Sequence, residues 1–194
     1  MPSSRILLVD DDRLIIATLA KDLRNAGYQV ETADCGEAAL ELAGRGSFDL
    51  AVLDIRMPGM SGIEMARVLR EHHGIAALFL SAFSDRDLVR QAVAEGALGY
   101  VTKPADSPQL IPAIETAIAR SRDLTALRET QRNLERALAA GRKTSMAVGI
   151  LMERRGLSEQ AAFEALRGGA RKHQSKLEDY SHDLVAAAQR LNRD

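Results

Sequence analysis

Along the first 120 positions, short unbroken apolar runs alternate with longer amphipathic stretches. Ile6-Leu7-Leu8-Val9 and Leu50-Ala51-Val52-Leu53 are two such runs, too short for buried helices and suited to strands covered on both faces. The pattern predicts strands at 5–9, 28–32, the run that ends in Asp54, 75–80 and 97–101. Between them it predicts four helices. One covers 13–25, with Leu14, Ile15, Thr18, Leu19 and Leu23 facing inward and Gly27 closing it. A short one runs through Leu40 and Leu42 to Gly44, opened by a capping box of Asp34 and Glu37; another covers 63–72, opened by Ser61 and Glu64; the last covers about 85–95. Crossovers of this length join parallel strands, so the pattern specifies an α/β fold, a doubly wound parallel sheet of five strands.

The pattern changes after residue 106. Ser107-Pro108 is a helix start, with Ser as N-cap and Pro in the first turn, where its missing N–H is not needed. No turn signal follows until Gly141. Leu110, Ala113, Ala117, Leu124, Leu127, Leu134 and Leu138 share one seam at alternating spacings of three and four, broken by Arg120 and Gln131. Such a seam suits a two-stranded coiled coil with polar register marks, and a homodimer through it. The competing expectation is a long helix folded back on its own domain. Beyond Gly141 three short helices are expected: 142–155, closed by Gly156; one from Ser158 that buries Ala162, Phe163 and Leu166; and one from Ser175, boxed by Glu178, that buries Leu177, Leu184 and Leu191. Gly168 and Gly169 predict a frayed or bent end, since each costs about 1 kcal/mol within a helix. The division is therefore 1–122, a linking helix over 107–141, and a helical unit over 125–194.

Composition narrows the setting. No apolar run approaches the roughly 20 residues of a membrane span, and the first residues lack the apolar stretch of a signal peptide. The single Cys35 excludes an internal disulfide framework and a cysteine zinc site, and suits a reducing cytoplasm. The formal net charge of −1 is unevenly divided: residues 1–141 hold 16 basic and 20 acidic side chains, residues 142–194 hold 10 and 7. The second part is the basic one, which permits an anionic partner without requiring it.

The candidate chemistry lies at one sheet edge. Asp10 and Asp11 end the first strand, Asp54 the third, Ser81 the fourth and Lys103 the fifth. Carboxylates so close repel one another unless a hard cation lies among them, and Mg²⁺ is the ion that settles for few protein oxygens and several waters. A phosphoryl group on Asp54 would have its charge met by the metal and the Lys103 ammonium, with the Ser81 hydroxyl donating to it; phosphoryl transfer needs little beyond such positioning. An X-Pro bond at Lys103-Pro104 is able to be cis. The plainer reading is that each Asp only caps a helix.

In identity, order and spacing, Val9-Asp10-Asp11, Asp54 with Met57-Pro58-Gly59, Ser81-Ala82, and Gly99-Tyr100-Val101 with Lys103-Pro104 resemble the receiver domains of two-component response regulators. That resemblance implies a flavodoxin-like fold over residues 5–120, a regulator rather than an enzyme, and a sensor histidine kinase as partner. By it Asp54 is the phosphoacceptor, Asp10 and Asp11 are the acidic pair with Asp11 a direct Mg²⁺ ligand, and the Arg56 backbone carbonyl is a further ligand. Ser81 and Tyr100 would form the switch pair, unless Tyr100 is simply a core aromatic. The stretch 147–158, with Ala162-Phe163, Leu166 and Lys176-Leu177, resembles the ANTAR output domain, the RNA-binding module of AmiR- and NasR-type transcription antiterminators.

The same resemblance implies RNA hairpins as ligand. Arg142, Lys143, Arg154, Arg155, Arg171 and Lys172 would reach phosphates, with Ala147 and Gly149 in the same RNA-binding set as small residues that let helices approach closely. Two other function classes compete. A helix-turn-helix DNA-binding regulator would need a recognition helix with base-reading side chains, and none stands out. An aspartyl-phosphate phosphatase would need a second acid beside Asp54 and a lid of substrate size.

Overall fold

The computed structural model describes residues 4–82, 90–91 and 96–191. Five parallel strands form one sheet in the order β2-β1-β3-β4-β5. They are β1 Arg5–Val9, β2 Gln29–Ala33, β3 Leu50–Asp54, β4 Ala77–Ala82 and β5 Gly99–Lys103. All of β3 is buried, as an apolar run covered on both faces must be. One face packs beneath α2 (Gly36–Arg45) and α3 (Gly62–Val68), around Leu53, Met65, Leu69 and Phe79. The other packs beneath α1 (Arg13–Asn25) and the start of α4 (Ser107–Arg155), around Leu8, Leu23, Leu80 and Ile114. The strand order reverses between β1 and β3, so their carboxyl ends flank the crevice where open α/β sheets bind ligands. The predicted helix at 85–95 lies almost wholly outside the described residues.

Helix ends correct several expectations. The Ser61 capping box forms: its hydroxyl accepts from Glu64 N–H at 3.3 Å, and Glu64 accepts from Ser61 N–H at 3.0 Å. Asp34 makes no such box; α2 starts at Cys35 without a side-chain cap, and Asp34 pairs with Arg13 at 3.0 Å. The first turn of α4 is capped by Asp106, which accepts from Gln109 N–H at 3.1 Å, while Ser107 donates to Asp22 at 2.6 Å. Leu14 and Thr18 do not face inward. Leu14 is 75% exposed, and the Thr18 hydroxyl donates to its carbonyl at 2.8 Å. The core face of α1 is carried instead by Leu19, Ala20 and Leu23.

The helix α4 runs for 49 residues through Gly141 and ends only at Gly156, where φ is +63°. Gly141 therefore does not divide it. A single glycine costs a helix only about 1 kcal/mol, and good helix formers flank it on both sides. The leucine seam divides by environment: Leu110, Ile114, Ala117 and Ile118 are buried on the sheet, whereas Leu124, Leu127, Leu134 and Leu138 are 42–66% exposed. The last contacts of α4 with the first unit are polar, Arg122 reaching Asp49 at 3.3 Å and Ser4 at 3.4 Å. Contacts divide the chain into Met1–Thr125 and Ala126–Asp194, with α4 contributing to each. Among the described residues no helix is long and apolar enough to cross a membrane.

In the second unit α5 (Glu159–Lys172) and α6 (Leu177–Leu191) pack on the end of α4 around Ala147, Leu151, Ala162, Leu166 and Val185. Ser158 caps α5, accepting from Ala161 N–H at 3.4 Å. Phe163, expected in the core, is 38% exposed. The helix α5 does not fray at Gly168 and Gly169 but continues through both to Lys172. Gly169 instead lets the Tyr180 ring approach so closely that a Cβ would stand 2.5 Å from it. The ring also stacks on His173 at 5.4 Å. No box forms at Ser175, whose N–H bonds the Ala170 carbonyl, and α6 starts at Leu177.

The two glycines predict opposite effects. Nothing lies within 4 Å of a Cβ at Gly141, so Gly141→Ala should raise the thermal midpoint of the second unit, by about 1 kcal/mol of stability. Gly169→Ala should lower it by about 1–3 kcal/mol, the range for overpacking. Thermal melts followed by circular dichroism check both, and a fall for Gly141→Ala would mean that α4 is interrupted there.

Candidate functional site

Three consecutive acids after β1 take three different positions. Asp10 is fully buried, and its Oδ1 accepts from Asp12 N–H at 3.0 Å. Asp12 caps α1, accepting from Leu14 N–H at 2.8 Å and Ile15 N–H at 3.3 Å. Asp11 is exposed. The cap of α1 is thus Asp12, and Asp10 does not merely cap a helix. Asp54 ends β3 and is 8% exposed. From the end of β5 the Lys103 ammonium reaches both carboxylates, 2.7 Å from Asp10 Oδ2 and 3.0 Å from Asp54 Oδ2. One carboxylate oxygen from each of Asp10, Asp11 and Asp54 falls within a 4.8 Å cluster.

The electrostatics are unequal. Burial raises the pKa of Asp54 above the usual carboxylate value; hydrogen bonding and charge from Lys103 oppose this, the Asp10 charge adds to it, and the Arg56 N–H works against it. Burial also works against the Lys103 ammonium, but its bonds to Asp10 and Asp54 outweigh that, and its pKa is raised. One ammonium therefore stands between at least two carboxylates, leaving net negative charge in a largely buried place. Asp10 Oδ2 is buried with the Lys103 ammonium 2.7 Å away as its partner, which leaves this oxygen a second lone pair. An all-oxygen donor set with an underused buried lone pair fits a hard divalent cation such as Mg²⁺.

A backbone constraint absent from the predicted site residues fixes this edge. A Cβ at Gly62 would lie 1.9 Å from the Asp54 carbonyl oxygen, and Gly62 N–H bonds the Ile55 carbonyl at 3.1 Å. The loop between them turns through Gly59 at φ +78°. Only glycine at 62 permits the start of α3 to lie against the end of β3. Arg56 follows in this loop and is exposed. Ser81 is in β4, its backbone paired with Thr102 of β5, and Tyr100 pairs with Phe79. The Tyr100 ring is 51% exposed, so it is not a core aromatic here. The Lys103–Pro104 bond is cis.

The predicted RNA contacts separate into two kinds. Arg142, Lys143, Gly149, Arg154, Arg155, Arg171 and Lys172 are exposed. Ala147 is fully buried where the three helices of the second unit meet, so it has no surface to offer. The pairs Arg154-Arg155 and Arg171-Lys172 end α4 and α5, where cations also favour the helix dipole. Lys143 is engaged, its Nζ 2.8 Å from His182 Nδ1.

A family model for the response regulator receiver domain matches residues 6–115. The chain is a response regulator. A second model, the ANTAR domain, matches residues 132–185. The transcriptional regulatory protein PdtaR of Mycobacterium tuberculosis is 37% identical to this response regulator over 168 residues, spanning 86% of this chain and 82% of its own. The uncharacterized transcriptional regulatory protein YrkP of Bacillus subtilis is 37% identical over 138 residues, 71% of this chain and 58% of its own. Among solved structures, a receiver domain protein of Clostridium thermocellum superposes with a TM-score of 0.59 at 30% identity, over 62% of this chain and 98% of that one. The response regulator thus joins a flavodoxin-like receiver to an ANTAR output domain.

Two variants test the pocket. In chelator, Asp54→Asn should melt higher than the parent at neutral pH, because burial penalises the ionised carboxylate in the folded state. The sign follows from a raised folded pKa: the penalty exists above it and is gone once Asp54 is protonated in both states. The difference should therefore shrink as pH falls from the raised value through the ordinary 3.8. Gly62→Ala should cost at least about 2–3 kcal/mol, measured by urea unfolding of the receiver.

Proposed function

We propose that this response regulator is a phosphorylation-controlled RNA-binding antiterminator that works as a homodimer. The observation that carries the reading is Asp54 at the tip of a buried strand, between two further acids and a bridging lysine, in a chain whose second unit is an ANTAR domain. Asp54 is the nucleophile toward a phosphohistidine of a sensor histidine kinase: its carboxylate oxygen forms the new O–P bond as the N–P bond breaks. Asp10, Asp11, Asp54 and the Arg56 carbonyl are the groups that would hold Mg²⁺. A bound Mg²⁺ supplies charge neutralisation for the transferring phosphoryl oxygens. Lys103, 3.0 Å from Asp54 Oδ2, would donate to one of those oxygens, exchanging its bond to Asp54 for a bond to the phosphoryl group.

The output depends on the exposed leucines. Leu124, Leu127, Leu134 and Leu138 leave a long apolar stripe uncovered within one chain, which a second copy would cover as a coiled coil. Phosphorylation, sensed by Ser81 and Tyr100, would change how two such helices meet. Each ANTAR unit offers few phosphate contacts, so two units side by side raise the effective concentration for paired hairpins.

With Mg²⁺ and a small phosphoryl donor, the protein should gain one acid-stable, base-labile phosphoryl group, detected by intact mass, and Asp54→Asn should gain none. Labelling that survives the substitution refutes the acceptor assignment. Leu127→Lys with Leu134→Lys should give monomers by sedimentation that are still phosphorylated but have lost most affinity for a two-hairpin RNA. Monomers that bind as well as the parent in the same salt refute the dimer requirement.

A further inference from the structure

An open groove of about 750 Å³ lies between the last turns of α4 and the first turn of α5, wholly within the second unit. Its size falls in the range of about 300–1,000 Å³ typical of small-ligand sites. Val148, Gly149 and Met152 line one side; Glu159, Gln160 and Phe163 line the other. Phe163 and Met152, 38% and 36% exposed, are apolar groups that this unit does not use for its own core. We infer that this groove takes one unpaired nucleobase of an RNA loop, stacked on the ring of Phe163 and read at its edge by Glu159 and Gln160. The inference rests on the RNA-binding reading and specifies the ligand of that surface.

Charge selects a base over a phosphate. No Lys or Arg lines the groove, and Glu159 puts a carboxylate in it. An anion would be repelled, whereas the N–H donors of a base edge find an acceptor in Glu159 and both an acceptor and a donor in Gln160. Basic side chains lie close by in space or in sequence. The Arg167 guanidinium lies over the Phe163 ring at 6.0 Å, and Arg154 and Arg155 follow Met152 by two and three positions. The division of labour is that of single-strand recognition, with an aromatic platform for the base and basic groups for the flanking backbone. Gly149 puts no side chain into the groove, and a Cβ there would stand in open space.

The experiment selects hairpins with randomised loops on the full-length parent, then compares the best hairpin with copies carrying an abasic site at each loop position in turn. The parent should lose about tenfold or more in affinity at one position, the scale of one base–aromatic stack. Phe163→Leu keeps the apolar volume and the helix but lacks the flat π-face. It should erase that difference while keeping the parent's salt slope, and Phe163→Tyr should restore it. Arg154→Ala with Arg155→Ala should flatten the salt slope and leave the abasic penalty intact. If Phe163→Leu, melting like the parent, keeps the full penalty, the groove is not the base site although the RNA reading stands. If Phe163→Leu instead changes the sedimentation mass, a second copy of the chain occupies the groove and the inference fails. If the parent binds no hairpin in a salt-dependent way, the RNA reading fails and the groove inference with it.

Discussion

One ammonium shared by two carboxylates organises the receiver. Lys103 comes from β5, Asp10 from the end of β1 and Asp54 from the end of β3, so the contacts of 2.7 and 3.0 Å tie an edge strand to the two central ones. Such a bridge is a costly way to fill a buried space, because desolvation of three charges offsets much of their attraction. Its balance is also incomplete, since Asp54 keeps a raised pKa despite Lys103. A site held short of neutrality in this way, with an all-oxygen donor set, suits a hard divalent cation. The surrounding backbone maintains the geometry. Asp12 holds the loop after Asp10 by capping α1, and Gly62 lets α3 start against the Asp54 carbonyl.

Continuity of backbone carries the second part of the account. The helix α4 is fixed on the sheet by Leu110, Ile114, Ala117 and Ile118 and tied at its edge by Arg122 to Asp49, and its last turns then supply Ala147, Val148 and Leu151 to the core of the ANTAR unit. Between those anchored ends, four leucines remain exposed, the feature on which the proposed dimer rests.

Most of the receiver was legible in the sequence because its signals are local or strictly ordered. Buried parallel strands announce themselves as short apolar runs, and acids placed just after them fall on one edge by topology alone. What escaped was decided by tertiary contacts. Gly141 reads as a break, yet nothing opposes a helix through it. Gly168-Gly169 reads as a weak end, yet Gly169 is the seat of the Tyr180 ring. Leu14 and Phe163 satisfy a helical spacing that predicts burial, but they remain 75% and 38% exposed. Gly62 carries no chemical signal at all; only the 1.9 Å approach to the Asp54 carbonyl reveals its role. In the basic tail, charge marks a candidate surface, but burial alone separates Ala147 from Gly149.

A divalent cation at Asp10 and Asp54 would compete with the Lys103 ammonium for both carboxylates. Calorimetric titration of Mg²⁺ into the parent, Asp11→Asn and Lys103→Met tests it directly. Removing the ammonium should leave Asp10 and Asp54 uncompensated and tighten Mg²⁺ binding, while Asp11→Asn, which removes a carboxylate from the cluster, should weaken it. An unchanged or weaker affinity in Lys103→Met would contradict the account.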